Sequence, residues 1–249
     1  MEMLSVAMDW ANRIAAAPST AALSDALAEA SEWLGARYFA LSHHVDFAAM
    51  PKGLRLHNYP EGWEAFYDQR RLALSDPIHR ASHRMVKGFY WNDLSQIIRM
   101  DRADNQMLRL GEQIGLGEGV TVPMHVPGEA RGSCTFVSEI GTRLPHHALF
   151  LAQAIGSHAF DQLRWLQNDG TARLPRLSKR MRQCAALAGR GFSNLEISLH
   201  LGISLPTVLD YLHEAFARIG VGSRTELAIA LLKTGDLSYD DVPPRSAQS

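Results

Sequence analysis

Residues 192–228 read FSNLEISLHLGISLPTVLDYLHEAFARIGVGSRTELA, and the punctuation of this stretch decides how the back of the chain folds. Ser193 followed by Glu196 predicts a capping box and a helix from near Asn194 to about Leu201. Gly202-Ile203-Ser204 then turns; Ser204 can cap, and Pro206 falls in the first turn of the next helix. That helix runs through TVLDYLHEAFARI and stops at Gly220, a natural left-handed cap. Ser223 and Glu226 predict a second capping box, opening a last helix through Leu232. With one helix ahead of these, residues 177–235 read as a small all-α domain of four helices. Two helices joined by a three-residue, glycine-containing turn form a helix-turn-helix, whose second helix usually enters the DNA major groove. On spacing alone, a small helical bundle with a tight turn is the competing reading.

Working back from this unit, Asn168, Asp169, Gly170 and Pro175 break a long helical pattern, so 167–175 reads as a linker. Ahead of it, Leu151, Ile155, Phe160, Leu163 and Leu166 give 148–166 an apolar face. Residues 20–34 are helical in pattern as well. Strand-like runs lie between: 38–47, 53–59, 120–126 and 133–139, the last two joined as an antiparallel hairpin around residues 127–132. The expected class is α+β, an N-terminal α/β/α sandwich with a mainly antiparallel sheet, followed by the helix-turn-helix domain. The expected organisation is 1–166, linker 167–175, 176–235, and a tail at 236–249.

At 249 residues with 46% hydrophobic and 20% charged content, the chain can bury a real core. Net charge is -1, but unevenly placed. From Arg173 onward ten basic residues face seven acids, while the remainder holds 15 basic and 19 acidic residues. An acidic front and a basic back suggest two units with different partners. Cys134 and Cys184 stand far apart without metal spacing, which fits a reducing cytoplasm. MEMLSVAMDW has no basic leader before an apolar run, and no 18-residue apolar stretch exists, so neither signal peptide nor membrane span is expected.

Enzyme signatures are missing too. His43-His44 and His146-His147 invite a metal reading, but neighbouring residues on a strand face opposite ways, and both pairs are expected at solvent or edge positions. Gly115-Leu-Gly117-Glu-Gly119 is not the dinucleotide fingerprint and reads as a turn. Neither G-x-S-x-G nor H-E-x-x-H occurs, so no catalytic residue, metal site or cofactor is expected and the chain is read as a non-enzyme. Met107 and Met181 read as core or surface filler.

The opening stretch resembles the DNA-binding domain of LuxR-type regulators through S-N-x-E-I, L-G-I-S, T-V and I-G-V followed by R-T-E-L. The chain departs from that pattern at several places. The family opening L-T-P-R-E is Leu177-Ser178-Lys179-Arg180-Met181, so Ser178 can cap without a reciprocal carboxylate. Ala185 replaces a core leucine, which would leave a hole costing on the order of 2 kcal/mol unless neighbours repack. Leu209 replaces a frequent lysine, and Asp210 and Glu214 add negative charge where phosphates would lie. The resemblance implies base contacts from Leu205, Thr207, Leu209, Asp210 and His213. It implies backbone contacts from Arg180, Arg182, Arg218 and Arg224.

A second resemblance lies in the front half, to the acyl-homoserine-lactone-binding domain of the same family. It rests on Y-P-x-x-W-x-x-x-Y, then D-P, then W, then G: Tyr59, Pro60, Trp63, Tyr67, Asp76, Pro77, Trp91 and Gly119. The residue types suit such a ligand. The Trp63 indole can only donate and fits a lactone carbonyl; an ionised Asp76 only accepts and fits an amide N–H. Tyr59 can donate to the acyl carbonyl, Tyr67 and Trp91 would be wall, and Thr135 matches a hydrogen-bonding position. Taken singly, Trp63 and Tyr67 are an i, i+4 core pair and Asp76-Pro77 a helix start. The resemblance implies a cytoplasmic regulator that binds an N-acyl-homoserine lactone and, as a homodimer, a pseudo-palindromic operator in double-stranded DNA. The helix at 148–166 and residues 225–233 are the candidate dimer surfaces. The alternative is a sensor or antagonist that acts through dimerisation without binding DNA.

Overall fold

The structure is a computed structural model that describes residues 2–48, 53–126, 129–167, 177–233 and Leu237. The chain divides into two compact units, residues 1–125 with 130–171 and residues 126–129 with 172–249. The expected linker beyond Gln167, the expected tail other than Leu237, and Pro127-Gly128 of the hairpin turn lie outside the described residues.

In the first unit, α1 (Glu2–Ala15) and α2 (Thr20–Trp33) precede β1 (Tyr38–His43) and β2 (Arg55–His57). Next come α3 (Trp63–Gln69), α4 (Pro77–Ser82), β3 (Phe89–Tyr90), α5 (Leu94–Ile97) and α6 (Arg102–Gln113). Then β4 (Leu116–Met124) and β5 (Gly132–Glu139) form the hairpin, and α7 (Ala148–Gln167) closes the unit. The sheet order is β2-β1-β5-β4-β3, with every neighbouring pair antiparallel.

Alternation along the strands sorts side chains to two faces. On β1, Phe39, Leu41 and His43 are buried while Ala40 and Ser42 are less so. Phe39, Leu41 and Phe136 join Leu23, Leu27, Ile155 and Leu163 as fully buried core, and Cys134 lies against Gly156 of α7. The opposite side, with Ala40 and Thr135, faces a cavity walled by α3, α4 and α6. The layers are therefore helix, sheet, helix.

Three expectations are corrected. Residues 115–119 are not a turn: β4 already begins at Leu116, with a register shift between Leu116 and Gly119. The glycine at 119 is there for close approach, since a Cβ would lie 2.3 Å from Cε2 of Trp91. His43 and His44 are not solvent residues. His43 is 8% exposed and packs on Phe160, with ring centroids 5.7 Å apart. Its neighbour stacks on His79 at 3.7 Å, because the chain leaving β1 runs beneath α4. His146 and His147 are exposed, as expected. The strands expected at 38–47 and 53–59 end sooner, at His43 and within 55–57.

The second unit comprises α8 (Lys179–Gly189), α9 (Asn194–Leu201), α10 (Leu205–Ile219) and α11 (Arg224–Lys233). Ser193 and Glu196 form the reciprocal capping box, and Ser204 caps α10 by accepting from the Thr207 N–H at 3.2 Å. Gly202 and Gly220 take left-handed conformations at the ends of α9 and α10, with φ of 63° and 74°. Ser178 caps α8 without a carboxylate partner, as its Met181 implies. The second box differs from expectation. Ser223 accepts from the Glu226 N–H, but the Glu226 carboxylate accepts from Gly222 N–H at 2.8 Å, one residue further back. Ala185 is fully buried beside Met181, one turn away on the same face of α8, so a long flexible side chain flanks the short one.

Candidate functional site

The cavity of the first unit measures about 120 Å³. The α3 helix starts after Gly62, which holds a left-handed φ of 81°, and it presents Trp63 and Tyr67 one turn apart, rings 6.0 Å from each other. No residue of α3 is fully buried, so these two are not a core pair: they cover the cavity. The helix is tied down by polar contacts instead. Arg55 on β2 donates to Glu64 at 2.7 Å and to Asp68 at 2.7 and 2.8 Å, while stacking over Phe47.

Asp76 caps α4, accepting from the Ile78 N–H at 2.7 Å, and Pro77 occupies the first turn, where its missing N–H is harmless. Its other oxygen accepts from the Tyr67 hydroxyl at 2.7 Å. The carboxylate, 8% exposed, is thus already partnered by the protein rather than left waiting for a ligand. Tyr67, expected as wall, is also the clamp on that carboxylate. Each carboxylate oxygen can accept a second bond, so capacity remains for an N–H from the cavity. Burial, and then Asp76, push the Tyr59 and Tyr67 phenols upward, so both remain protonated donors.

Tyr59, Trp63, Tyr67, Asp76, Trp91 and Thr135 all line this one cavity. Neither the Tyr59 hydroxyl nor the Trp63 indole N–H has a hydrogen-bond partner among the described residues. Trp91 lies flat on Gly119 and donates to Thr121 at 2.9 Å, and the Thr121 hydroxyl in turn is hydrogen-bonded to that of Thr135 at 2.9 Å. When Thr121 donates, the Thr135 proton is left for the cavity. Thr121 carries no motif and was not singled out; its register opposite Thr135 is visible only once β4 and β5 pair. Met107, Leu108 and Gly111 of α6 supply the apolar end, at helical spacing behind an Asp101/Asp104 capping box that could have revealed the helix. Met107 is therefore cavity wall rather than filler.

At one margin of the cavity, His79 stacks on His44, whose Nδ1 meets His83 Nε2 at 2.9 Å and whose Nε2 meets the Ser133 hydroxyl at 2.9 Å. Burial first, then the neighbouring imidazoles, push His44 down; burial and Arg131 push His83 down to about 4. The His44 and His83 rings are therefore neutral near pH 7. Among the described residues no group of three or more His, Cys, Asp or Glu could hold a metal, and no helix is long and apolar enough to cross a membrane.

In the second unit, Leu205, Leu209, Asp210 and His213 are exposed on α10, and Thr207, half-buried, bonds the Ser204 hydroxyl. Arg180 and Arg182 are exposed on α8. Arg218 is ion-paired with Glu214. Arg224 donates to the Phe192 carbonyl at 2.7 Å and to Asn194, tying α11 to the entry of α9.

A unit with a cavity lined by aromatics and convergent polar groups, and a unit built on a helix-turn-helix, together define the class of ligand-responsive transcription regulators. Family comparisons agree: residues 19–163 match the autoinducer binding domain, and residues 175–231 match the bacterial regulatory proteins of the luxR family. The chain belongs to the LuxR family of autoinducer-binding regulators, which are regulators and not enzymes. It is 24% identical to the transcriptional activator LuxR of Aliivibrio fischeri, over 90% of this chain and 91% of that one. To the HTH-type regulator y4qH of Sinorhizobium fredii it is 25% identical over 72% of this chain, spanning 55% of that protein's length. Its fold is that of Escherichia coli SdiA, with a TM-score of 0.72 and 21% identity over 94% of this chain and 98% of that one.

Proposed function

We propose that the cavity binds an N-acyl-homoserine lactone and that the liganded chain binds promoter DNA in the cytoplasm as a homodimer. In this reading residues 1–166 sense, 167–175 link, and 176–235 read DNA. One observation carries it: Tyr59 and Trp63 bring two donors, unpartnered among the described residues, into the same hollow as a carboxylate with room for a further N–H. The ligand class offers the complement, two carbonyl acceptors and one amide donor. Leaving such groups unpaired in an apolar enclosure is unfavourable, so ligand stabilises the fold in proportion to the logarithm of its concentration over Kd. Exposed Phe150 and Trp165 on α7 and Ile229 on α11 support a dimer through both units.

A second reading is an antagonist that pairs with other regulators without binding DNA. It is favoured by the leucines and acids on α10. Thermal unfolding against N-butanoyl-, N-hexanoyl-, N-octanoyl- and N-dodecanoyl-homoserine lactone tests the sensor. A rise with one tail length supports it, and no rise with any sinks it. Mobility shift in low salt separates the two readings, since failure to shift any promoter, with or without lactone, favours the antagonist.

A further inference from the structure

We infer that α10 reads thymine methyl groups and cytosine amino groups in its operator and has no reader for guanine. The inference rests on the reading that this helix enters the major groove. Val208, Leu212 and Ala215 turn into the core, which fixes the phase of the helix. The side chains opposite them, Pro206, Asp210, His213 and Ala217, are exposed. Leu205 and Leu209 flank that stripe at 39% and 48% exposure, one turn apart.

Base edges are told apart by matching donors, acceptors and the thymine methyl. Guanine is read by a bidentate Arg or Lys and adenine by a bidentate Asn or Gln. None of the four residue types stands on the exposed stripe, and Arg218 lies to the side in its ion pair with Glu214. With Glu214 held by Arg218, what α10 offers is aliphatic carbon and the Asp210 carboxylate. The thymine C5-methyl is the apolar group on the groove floor that Leu205 and Leu209 can cover. Asp210 can only accept, which matches the N4 amino group of cytosine. His213 can make a single bond of either sense and discriminates little. Phosphate attraction then falls to α8, where Lys179, Arg180 and Arg182 are exposed. The helix-turn-helix and the cations of α8 favour DNA as the occupant of this leucine-bearing face over a protein surface.

The test uses the full chain and a random double-stranded DNA library, with and without each of the four lactones above. The enriched duplex is then remade with deoxyuridine in place of each half-site thymine, which removes the methyl and leaves the pairing edge intact. Binding should weaken about fourfold for each contacted methyl, the loss expected for one buried carbon. Leu209→Ala, an exposed position, should abolish the thymine–uracil difference at one position while leaving the others. Equal affinity for thymine and uracil duplexes overturns the inference while leaving DNA binding intact. Retention of no duplex under any condition overturns it together with the DNA reading, and marks the leucine face as a protein contact.

Discussion

Replacing Asp76 by asparagine separates the two jobs of this carboxylate. Asparagine caps a helix about as well as aspartate, so α4 keeps its start. With the amide oxygen turned to the Ile78 N–H, the amide NH2 faces the Tyr67 hydroxyl, which can accept, and a ligand N–H, which cannot. Asp76 is only 8% exposed, so solvent screens the lost bond little. A hydrogen bond to a charged group contributes about 1.5–3 kcal/mol. Taking about 2 kcal/mol, Kd rises about 30-fold. At a lactone concentration of about 100 times Kd, ligand stabilises the parent by about 2.7 kcal/mol and the variant by about 0.9 kcal/mol. At roughly 3 °C per kcal/mol, the ligand-induced rise in Tm falls from about 8 °C to about 3 °C. Tyr67→Phe is the companion: it leaves one carboxylate oxygen a donor short even without ligand, lowering the unliganded Tm by roughly 4 °C. Differential scanning fluorimetry reads both. A full ligand-induced rise in Asp76→Asn would refute the assignment of the carboxylate to the ligand amide.

Other expectations concern the rest of the site. Trp63→Phe keeps most of the apolar cover but loses the donor, so calorimetry should show Kd about fivefold weaker, and an unchanged Kd removes Trp63 from the polar contacts. Gly119→Ala drives a methyl into the Trp91 ring, 2.3 Å from Cε2, and should cost about 1–3 kcal/mol in urea unfolding; an unaltered midpoint contradicts the close stacking. His83 titrates at about 4 in the folded chain and His44 below its ordinary 6.5, so the unfolded chain takes up their protons first as pH falls. Their contribution is whole above about 6.5 and is lost as pH drops toward 4, so the urea midpoint should be lower at pH 5 than at pH 7.5. In His83→Gln that gap should narrow, and an equal gap argues against the histidine group.

The elements marked by local chemistry were legible from the residues alone. Ser193 with Glu196, Gly202, Ser204 and Gly220 act within a few residues of themselves, and α9 and α10 begin and end where they dictate. The cavity-lining set was legible only as a resemblance, through Tyr59, Trp63, Tyr67, Asp76, Trp91 and Thr135, which the fold gathers around one hollow. What local patterns miss are partners fixed by tertiary register. Glycines at 117 and 119 look like a turn in isolation, and only the Glu139 carbonyl close to the first and the Trp91 ring close to the second explain their place in a strand. His44 looks like an edge residue until α4 brings His79 and His83 over it. Asp76 invites an external donor until α3 supplies the Tyr67 hydroxyl.

The cover over the cavity has a consequence for timing. Helix α3 buries no residue fully and is held by Arg55, by Asp76 and by whatever its two aromatics touch beneath them. Segments with few buried contacts open locally at free energies well below global unfolding. Amide exchange along 63–69 should therefore run on a clock set by occupancy of the hollow rather than by the sheet. A protease that cuts the opened segment then converts that clock into protein half-life. On the proposed function, the empty form would then be cleared faster than the filled form, and the amount of regulator, as well as its affinity for DNA, would record how much signal is present.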